Sequence, residues 1–284
     1  MSTPRAAVIQ DLSGFGRCSM TLALPALSAM GVQCCPVLTA YLSSHTGGLG
    51  DNTFCDLTDQ MAPVAAHWQS LGLAFDAILT GFMSSSRQIR LTRDFLSAFR
   101  RPGCPAVVDP VMGDGGQLYR TCTPGMRGAM AELAADADVI TPNRTEAAVL
   151  LGVDYGALTL DREEDCRNWA GRLSLAGRRS VVLKGVSLRP GETGAVCFDR
   201  ATGETSLITA SQAPGRFHGT GDLFAAVLTG ALAKGMSLTE GVRRAADFVS
   251  LCAWRTAGLD TPRREGLDFE PLLWRLGAEN GDRS

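Results

Sequence analysis

The sequence predicts an α/β protein built on a mostly parallel, doubly wound sheet, and three observations carry that expectation. Short apolar runs containing β-branched residues recur along the chain, stretches with helical periodicity separate them, and glycine, proline or small polar residues mark the joints. Strands that alternate with helices cannot pair as hairpins. They pair in parallel through helical crossovers, which cover both faces of the sheet.

The first run is residues 5–11, Arg-Ala-Ala-Val-Ile-Gln-Asp, followed by the glycine-bearing loop 12–16 and a helix over 19–30 that Gly31 closes. The unit recurs with a strand over 75–80, Gly81 and a helix over 86–99, and again with a strand over 106–109 and a helix over 124–135. A strand over 139–141 precedes a helix over 145–151, and a helix over 162–175 leads into a strand over 180–183. Residues 34–41, 194–198 and 205–208 read as extra strands that depart from this alternation. The last two fit a hairpin around residues 199–203, so an antiparallel edge or flap is expected on the parallel core. Residues 219–257 are largely helical, with Gly235 ending one helix and Ser237 and Glu240 spaced as a capping box for the next. Residues 279–284 read as a polar, frayed tail. Without a repeat, a low-complexity tract or a linker, residues 1–284 are expected to form a single domain.

Composition bounds the function. A chain of 284 residues, 45% hydrophobic and 20% charged, supports one large core. The net charge of -2 comes without long runs of one sign, so neither nucleic acid nor an acidic membrane is an expected partner. Nine cysteines, an odd number without a C-x-x-C pair or a signal peptide, point to reduced thiols in the cytoplasm. Apolar runs are broken by Gly, Ser or Arg within ~12 residues, short of the ~18 that span a bilayer. Gly14 and Gly16 are followed by Ser19 where a dinucleotide fingerprint needs glycine, and there is no Gly-x-x-x-x-Gly-Lys-Ser/Thr loop. His45, His67 and His218 lie far apart, and no His/Cys set has zinc spacing.

The motif His218-Gly219-Thr220-Gly221-Asp222 runs directly into the small-residue stretch 223–226. A glycine-bearing turn that opens a helix presents successive backbone N–H groups to an anion, and glycine lets a phosphate approach closely. Gly219, Thr220 and Gly221 are therefore candidate anion-hole residues. A carboxylate at Asp222 is electrostatically out of place beside such an anion unless it must take a proton from an attacking hydroxyl, as phosphoryl transfer requires. An aspartate here is equally what a helix N-cap uses.

Two further segments place acidic or amide side chains just past strand ends, where open α/β sheets bind ligands. They are Val107-Val108-Asp109-Pro110-Val111-Met112-Gly113-Asp114 and Val139-Ile140-Thr141-Pro142-Asn143-Arg144-Thr145-Glu146. Asp109, Asp114, Asn143 and Glu146 are candidates to act on nucleotide phosphates and magnesium, partly through water. Asn143 and Glu146 also fit simple helix capping behind Pro142.

In this order and spacing, Asp-Pro-Val-Met-Gly-Asp, Thr-Pro-Asn-x-x-Glu and Gly-Thr-Gly-Asp resemble the ribokinase-like superfamily, and within it the pyridoxal kinases. The likeness covers about residues 6–258. It implies a mostly parallel central sheet flanked by helices on both faces and, usually, a homodimer. By matched position it implies Asp222 as catalytic base, Gly219, Thr220 and Gly221 as anion hole, and Asp109, Asp114, Asn143 and Glu146 around ATP. Mg²⁺ would sit near Asp114 and Glu146, through water, and a monovalent cation is compatible.

Ser44-His45-Thr46-Gly47 resembles the Ser/Asn-His-Thr segment of pyridoxal kinases, whose threonine binds the pyridine ring, and Thr80-Gly81-Phe82 resembles their Thr-Gly-Tyr. Phe82 would wall a planar heteroaromatic and Thr46 anchor it, while His45 reads equally as a structural histidine. The loop Asp11-Leu12-Ser13-Gly14-Phe15-Gly16 departs toward the Asp-x-Ser-Gly loop of hydroxymethylpyrimidine kinases, where Asp11 and Ser13 would meet a ring nitrogen or an amine. Asp222 departs the other way, because the pyrimidine branch typically has Gly-Thr-Gly-Cys there.

Lys184 is one of two lysines among 27 basic residues. It reads either as a positive charge near nucleotide phosphates or as a solvated loop lysine. Cys122 lies in 113–124, which resembles a lid, where a thiolate would add reversibly to an aldehyde. The expected activity is ATP-dependent phosphorylation of the 5′-hydroxymethyl of pyridoxal, pyridoxine or pyridoxamine. The alternatives are a hydroxymethylpyrimidine or sugar kinase on the same fold and a non-catalytic B6-binding protein.

Overall fold

In the computed structural model residues 2–277 are described, so the tail expected over 279–284 lies outside the described residues. The strands are β1 (Arg5–Ser13), β2 (Gln33–Leu42), β3 (Phe54–Asp56), β4 (Ala77–Thr80), β5 (Ala106–Val108), β6 (Gly113–Asp114), β7 (Gln117–Leu118), β8 (Val139–Ile140), β9 (Ser180–Val186), β10 (Glu192–Phe198) and β11 (Thr205–Ser211). The helices are α1 (Met20–Ala29), α2 (Thr58–Ser70), α3 (Ser86–Phe99), α4 (Pro124–Asp136), α5 (Arg144–Leu151), α6 (Glu163–Leu173), α7 (Thr220–Ala233), α8 (Leu238–Ala257) and the short α9 (Trp274–Gly277).

Nine strands form one sheet in the order β11-β10-β9-β8-β5-β4-β1-β2-β3. The run from β9 to β2 is parallel throughout. Both edges are antiparallel, with β3 on β2 at one end and the β10–β11 hairpin on β9 at the other. The expected edge is thus present at 194–208. Residues 34–41, read above as part of that departure, instead form β2 in the parallel core, paired with β1. The β6–β7 hairpin is a separate two-stranded sheet.

Alternate residues of β1 serve opposite faces. Ala6 and Val8 pack with α1, α7 and α8, whereas Ala7 and Ile9 pack with helices α2 to α6. A strand buried on both sides must be apolar throughout, which is why the parallel strands read as continuous apolar runs. α7 is buried all round from Leu223 to Ala231 and forms the middle of its layer. Arg179 is buried and donates from Nε to Leu173 O at 2.8 Å and from Nη1 to Ala134 O. It therefore caps the carbonyl ends of α6 and α4, where a cation is favoured.

Among the described residues no helix is long and apolar enough to cross a membrane. β3 and α2 have no counterpart in the sequence reading. α2 carries Pro63 and buries only Thr58 and Met61, so its apolar periodicity is faint.

Candidate active site

Asp11 lies near the end of β1, Asp109 just past β5, Thr141 just past β8 and Lys184 in the second half of β9. All four belong to the carboxyl ends of parallel strands, the usual ligand side of such a sheet. β9 continues past Lys184 to Val186, so this lysine is held in the sheet rather than in a solvated loop. Its Nζ contacts Asp109 Oδ1 at 2.9 Å and Oδ2 at 3.1 Å, and Thr141 Oγ1 donates to Asp109 Oδ1 at 3.0 Å. Burial alone would push the Lys184 ammonium down, but Asp109, Glu146 and Asp222 hold it above its ordinary value.

The glycine turn opens α7 directly over this pair. A Cβ on Gly221 would lie 3.4 Å from Lys184 Nζ and 3.9 Å from Asp109 Oδ2. Gly219 has φ +81°, and a Cβ there would stand 2.3 Å from the carbonyl of Arg17, so both backbone conformation and space demand glycine. The first turn of a 14-residue helix thus lies against a largely buried ammonium–carboxylate pair.

Asp222 is in that first turn, and its Oδ2 accepts the Ser19 N–H at 2.9 Å. Burial raises its carboxyl to about 6; the Ser19 amide and Lys184 oppose the rise, while Asp109 and Asp11 add to it. Ser19 has φ 48° and ψ −125°, an uncommon backbone for a residue with a side chain. Asp222 is not the N-cap of α7: that position is Gly219, with no side-chain cap.

Asn143 and Glu146 do form the capping box of α5, so the helix-end reading is correct, but the box reaches further. Glu146 accepts the N–H of Asn143 at 2.8 Å and of Met112 at 3.3 Å, and Asn143 Nδ2 donates to Gly113 O at 2.9 Å. Burial, then repulsion from Asp109, lifts the Glu146 carboxyl to about 8. Asp114 is exposed on the β6–β7 hairpin. Tyr119 follows that hairpin; burial and the carboxylates of Glu146, Asp114, Asp222 and Asp109 push its phenol up. Among the described residues no three His, Cys, Asp or Glu side chains converge as a metal cage.

On the first strand's side, Asp11 is buried and accepts Ser13 Oγ at 3.0 Å. Burial raises its carboxyl against the hydroxyls of Ser19 and Ser13. His45 is occupied by the backbone on both sides: Nε2 donates to Arg264 O at 2.6 Å and Nδ1 accepts Gly47 N–H at 3.0 Å. Both ring nitrogens of His45 are thus engaged by backbone, as in a structural histidine, which leaves only the ring face to meet a substrate. Its neighbour Thr46 is exposed, Phe82 is half-buried after Gly81, and the His218 ring lies 4.8 Å from that of His45. Burial pushes the half-buried Cys122 thiol up, so the thiolate expected there is disfavoured.

Sequence reasoning named Thr141 within a motif without a role, and passed over Ser19 and Arg17. Ser19 acts through its backbone amide, which has no signature in residue type.

The profile of the phosphomethylpyrimidine kinase family matches residues 22–261. A Bacteroides thetaiotaomicron protein, described as a candidate phosphomethylpyrimidine kinase and crystallised with pyridoxal, is 38% identical with a TM-score of 0.91, covering 98% of this chain and 96% of its own. Pyridoxal kinase from Lactobacillus plantarum is 34% identical with a TM-score of 0.86, covering 97% of each chain. A pyridoxine/pyridoxal/pyridoxamine kinase of Bordetella avium is 31% identical over 94% of this chain and 92% of its own.

Proposed function

The chain belongs to the phosphomethylpyrimidine kinase family, with a ribokinase-like fold, and from that premise we propose that it transfers the γ-phosphoryl group of ATP to the 5′-hydroxymethyl group of a vitamin B6 vitamer. The observation that carries this reading is one arrangement: the Asp222 carboxylate sits in the first turn of α7, beside an anion-binding turn and over the Lys184–Asp109 pair. Asp222 takes the proton of the attacking hydroxyl. The amides of Gly219, Thr220 and Gly221 receive the charge that develops on the phosphoryl oxygens, and Lys184 orients the nucleotide phosphates. Such a site works by alignment and fixed dipoles, since phosphoryl transfer needs little covalent help from the protein.

The donor set suits a divalent cation carried mainly by the nucleotide. Asp109, Glu146 and Asp222 surround the single ammonium of Lys184, an excess of acidic groups that a cation relieves. Because both Glu146 oxygens hold backbone amides, Glu146 and the exposed Asp114 would hold Mg²⁺ through water, where it supplies charge neutralisation for the transferring phosphate. Homodimer assembly belongs to the same proposal.

The B6 substrate rests on the Ser44-His45-Thr46-Gly47 and Thr80-Gly81-Phe82 segments and on the pyridoxal-bound relative. One observation favours a second reading, hydroxymethylpyrimidine as acceptor. Asp11 and its Ser13 partner match the pyrimidine kinases' loop, and the family is named for that chemistry. ATP consumption with Mg²⁺ against pyridoxal, pyridoxine, pyridoxamine, hydroxymethylpyrimidine and ribose separates the two. Turnover on a vitamer that drops by roughly 10³-fold or more in Asp222→Asn supports the proposal. Turnover on the pyrimidine alone overturns the substrate, near-normal turnover in the variant overturns the base, and binding without turnover favours a sequestering protein.

A further inference from the structure

Four segments far apart in the chain meet behind Asp222: the loop 14–19, the loop 43–48, the glycine turn 215–221 and the C-terminal segment 263–272. Arg17 joins them. Its backbone N–H donates to Glu265 O at 3.0 Å, its Nε to Glu270 Oε1 at 2.8 Å and its Nη2 to Asp268 Oδ1 at 3.1 Å. Its carbonyl is wedged between two glycines: a Cβ would approach it to 2.3 Å from Gly219 and to 2.7 Å from Gly266. Asp268 is itself held by Arg255 Nε at 2.6 Å and, through its own N–H, by Thr256 Oγ1 at 2.9 Å. The same C-terminal segment accepts the His45 ring at Arg264 O. Two residues beyond Arg17, the Ser19 amide donates to Asp222. Arg17 and residues 263–272 all lie outside the 22–261 stretch that the family profile matches.

Partly exposed ion pairs add little to stability, so a cluster of them matters chiefly through the geometry it imposes. Here the geometry is unusual. Ser19 is in a backbone conformation that persists only where its surroundings over-determine it, and the anchored Arg17 lies two residues before it. We propose that the C-terminal segment is a strap that sets the Ser19 amide against Asp222 through Arg17 and holds the Thr46 loop through His45. Arg17 is then a positioning residue for the proton acceptor. The kinetic part of this inference rests on the phosphotransferase reading; the geometric part does not.

The groups facing Asp222 are Asp11 from β1, the Cys18 thiol from the loop before α1, Asp109 after β5, Lys184 from β9 and Tyr119 after the β6–β7 hairpin. Substituting Arg17 changes none of them, so a change in the titration of Asp222 reports on the Ser19 amide. Arg17→Met is expected to lower kcat about tenfold or more while KM for ATP stays within about twofold. The acid limb of kcat should move to higher pH, because the amide that favours the ionised carboxylate is no longer held, and Arg17→Lys should recover part of both effects. Carbon-13 detection of the Asp222 carboxyl, assigned with Asp222→Asn, reads the same displacement without turnover. If the wild type phosphorylates no acceptor, the phosphotransferase reading fails while the titration still decides the strap. Should Arg17→Met not fold, Glu270→Gln, at a half-exposed partner, carries the same comparison with a smaller displacement. An unmoved acid limb and titration in a folded variant, whatever happens to kcat, overturns the proposal.

Discussion

Asp222 shows how much of a site can follow from one carboxyl's surroundings. To accept a proton it must be ionised, yet burial holds it near 6 rather than in the usual carboxylate range. Below that value the folded protein keeps the proton, and the base proposed above is lost. Turnover under saturating substrate should therefore fall about tenfold per pH unit below about 6 and level off above it. A rate that stays flat to pH 4.5 would remove Asp222 from the mechanism. At this scale the sequence was legible where function rests on a side chain at a strand or helix end. Asp109, Glu146, Lys184 and Asp222 were all named from the sequence, and the structure bonds Lys184 to Asp109 and Glu146 to the Asn143 amide. It was not legible where a contact runs through backbone, as from the Ser19 amide to Asp222, nor where the partners of a ring come from distant segments, as at His45.

At the scale of elements, α7 begins as it does because Gly219 supplies a left-handed residue where the Arg17 carbonyl comes within contact. Gly219→Ala should cost roughly 1–2 kcal/mol from the backbone conformation alone. The added methyl must also displace either the α7 terminus or the Arg17 loop, and a shift near 1 Å costs on the order of 10²-fold in turnover. Melting curves and steady-state kinetics of the variant check both, and wild-type values in each would mean that the turn is less constrained than its geometry indicates. The strand–helix rhythm was readable because parallel strands are apolar on both faces. β2 was readable as a strand but not as a parallel one, since a strand's direction is set by its partner, β1. α2 escaped because a helix with an internal proline and little buried surface leaves no periodic apolar stripe.

For the whole molecule, the buried carboxylates make stability depend on pH and on ligand. Glu146 binds its proton in the folded state up to about 8, whereas the unfolded chain releases it near the ordinary value of 4.5. Its contribution to stability thus grows as pH falls through that interval and is lost as pH rises through about 8. The nucleotide-free protein should melt roughly 3 °C higher at pH 6.5 than at 8.5, and Glu146→Gln should flatten that slope. Scanning calorimetry across these two pH values decides it, and an equal slope in the variant would assign the effect elsewhere. ATP with Mg²⁺ should diminish the difference, because a bound cation offsets the charge that protonation otherwise removes. The scarcity of lysine has a consequence at the same scale. Among the described residues one of the two lysine amines is buried against Asp109, and only Lys234 is exposed, while the rest of the basic surface is arginine. Guanidinium groups stay protonated and do not condense with aldehydes as amines do. A chain proposed to handle pyridoxal therefore presents that reactive carbonyl with a surface almost free of the lysine amines that would condense with it and turn the catalyst into a side product.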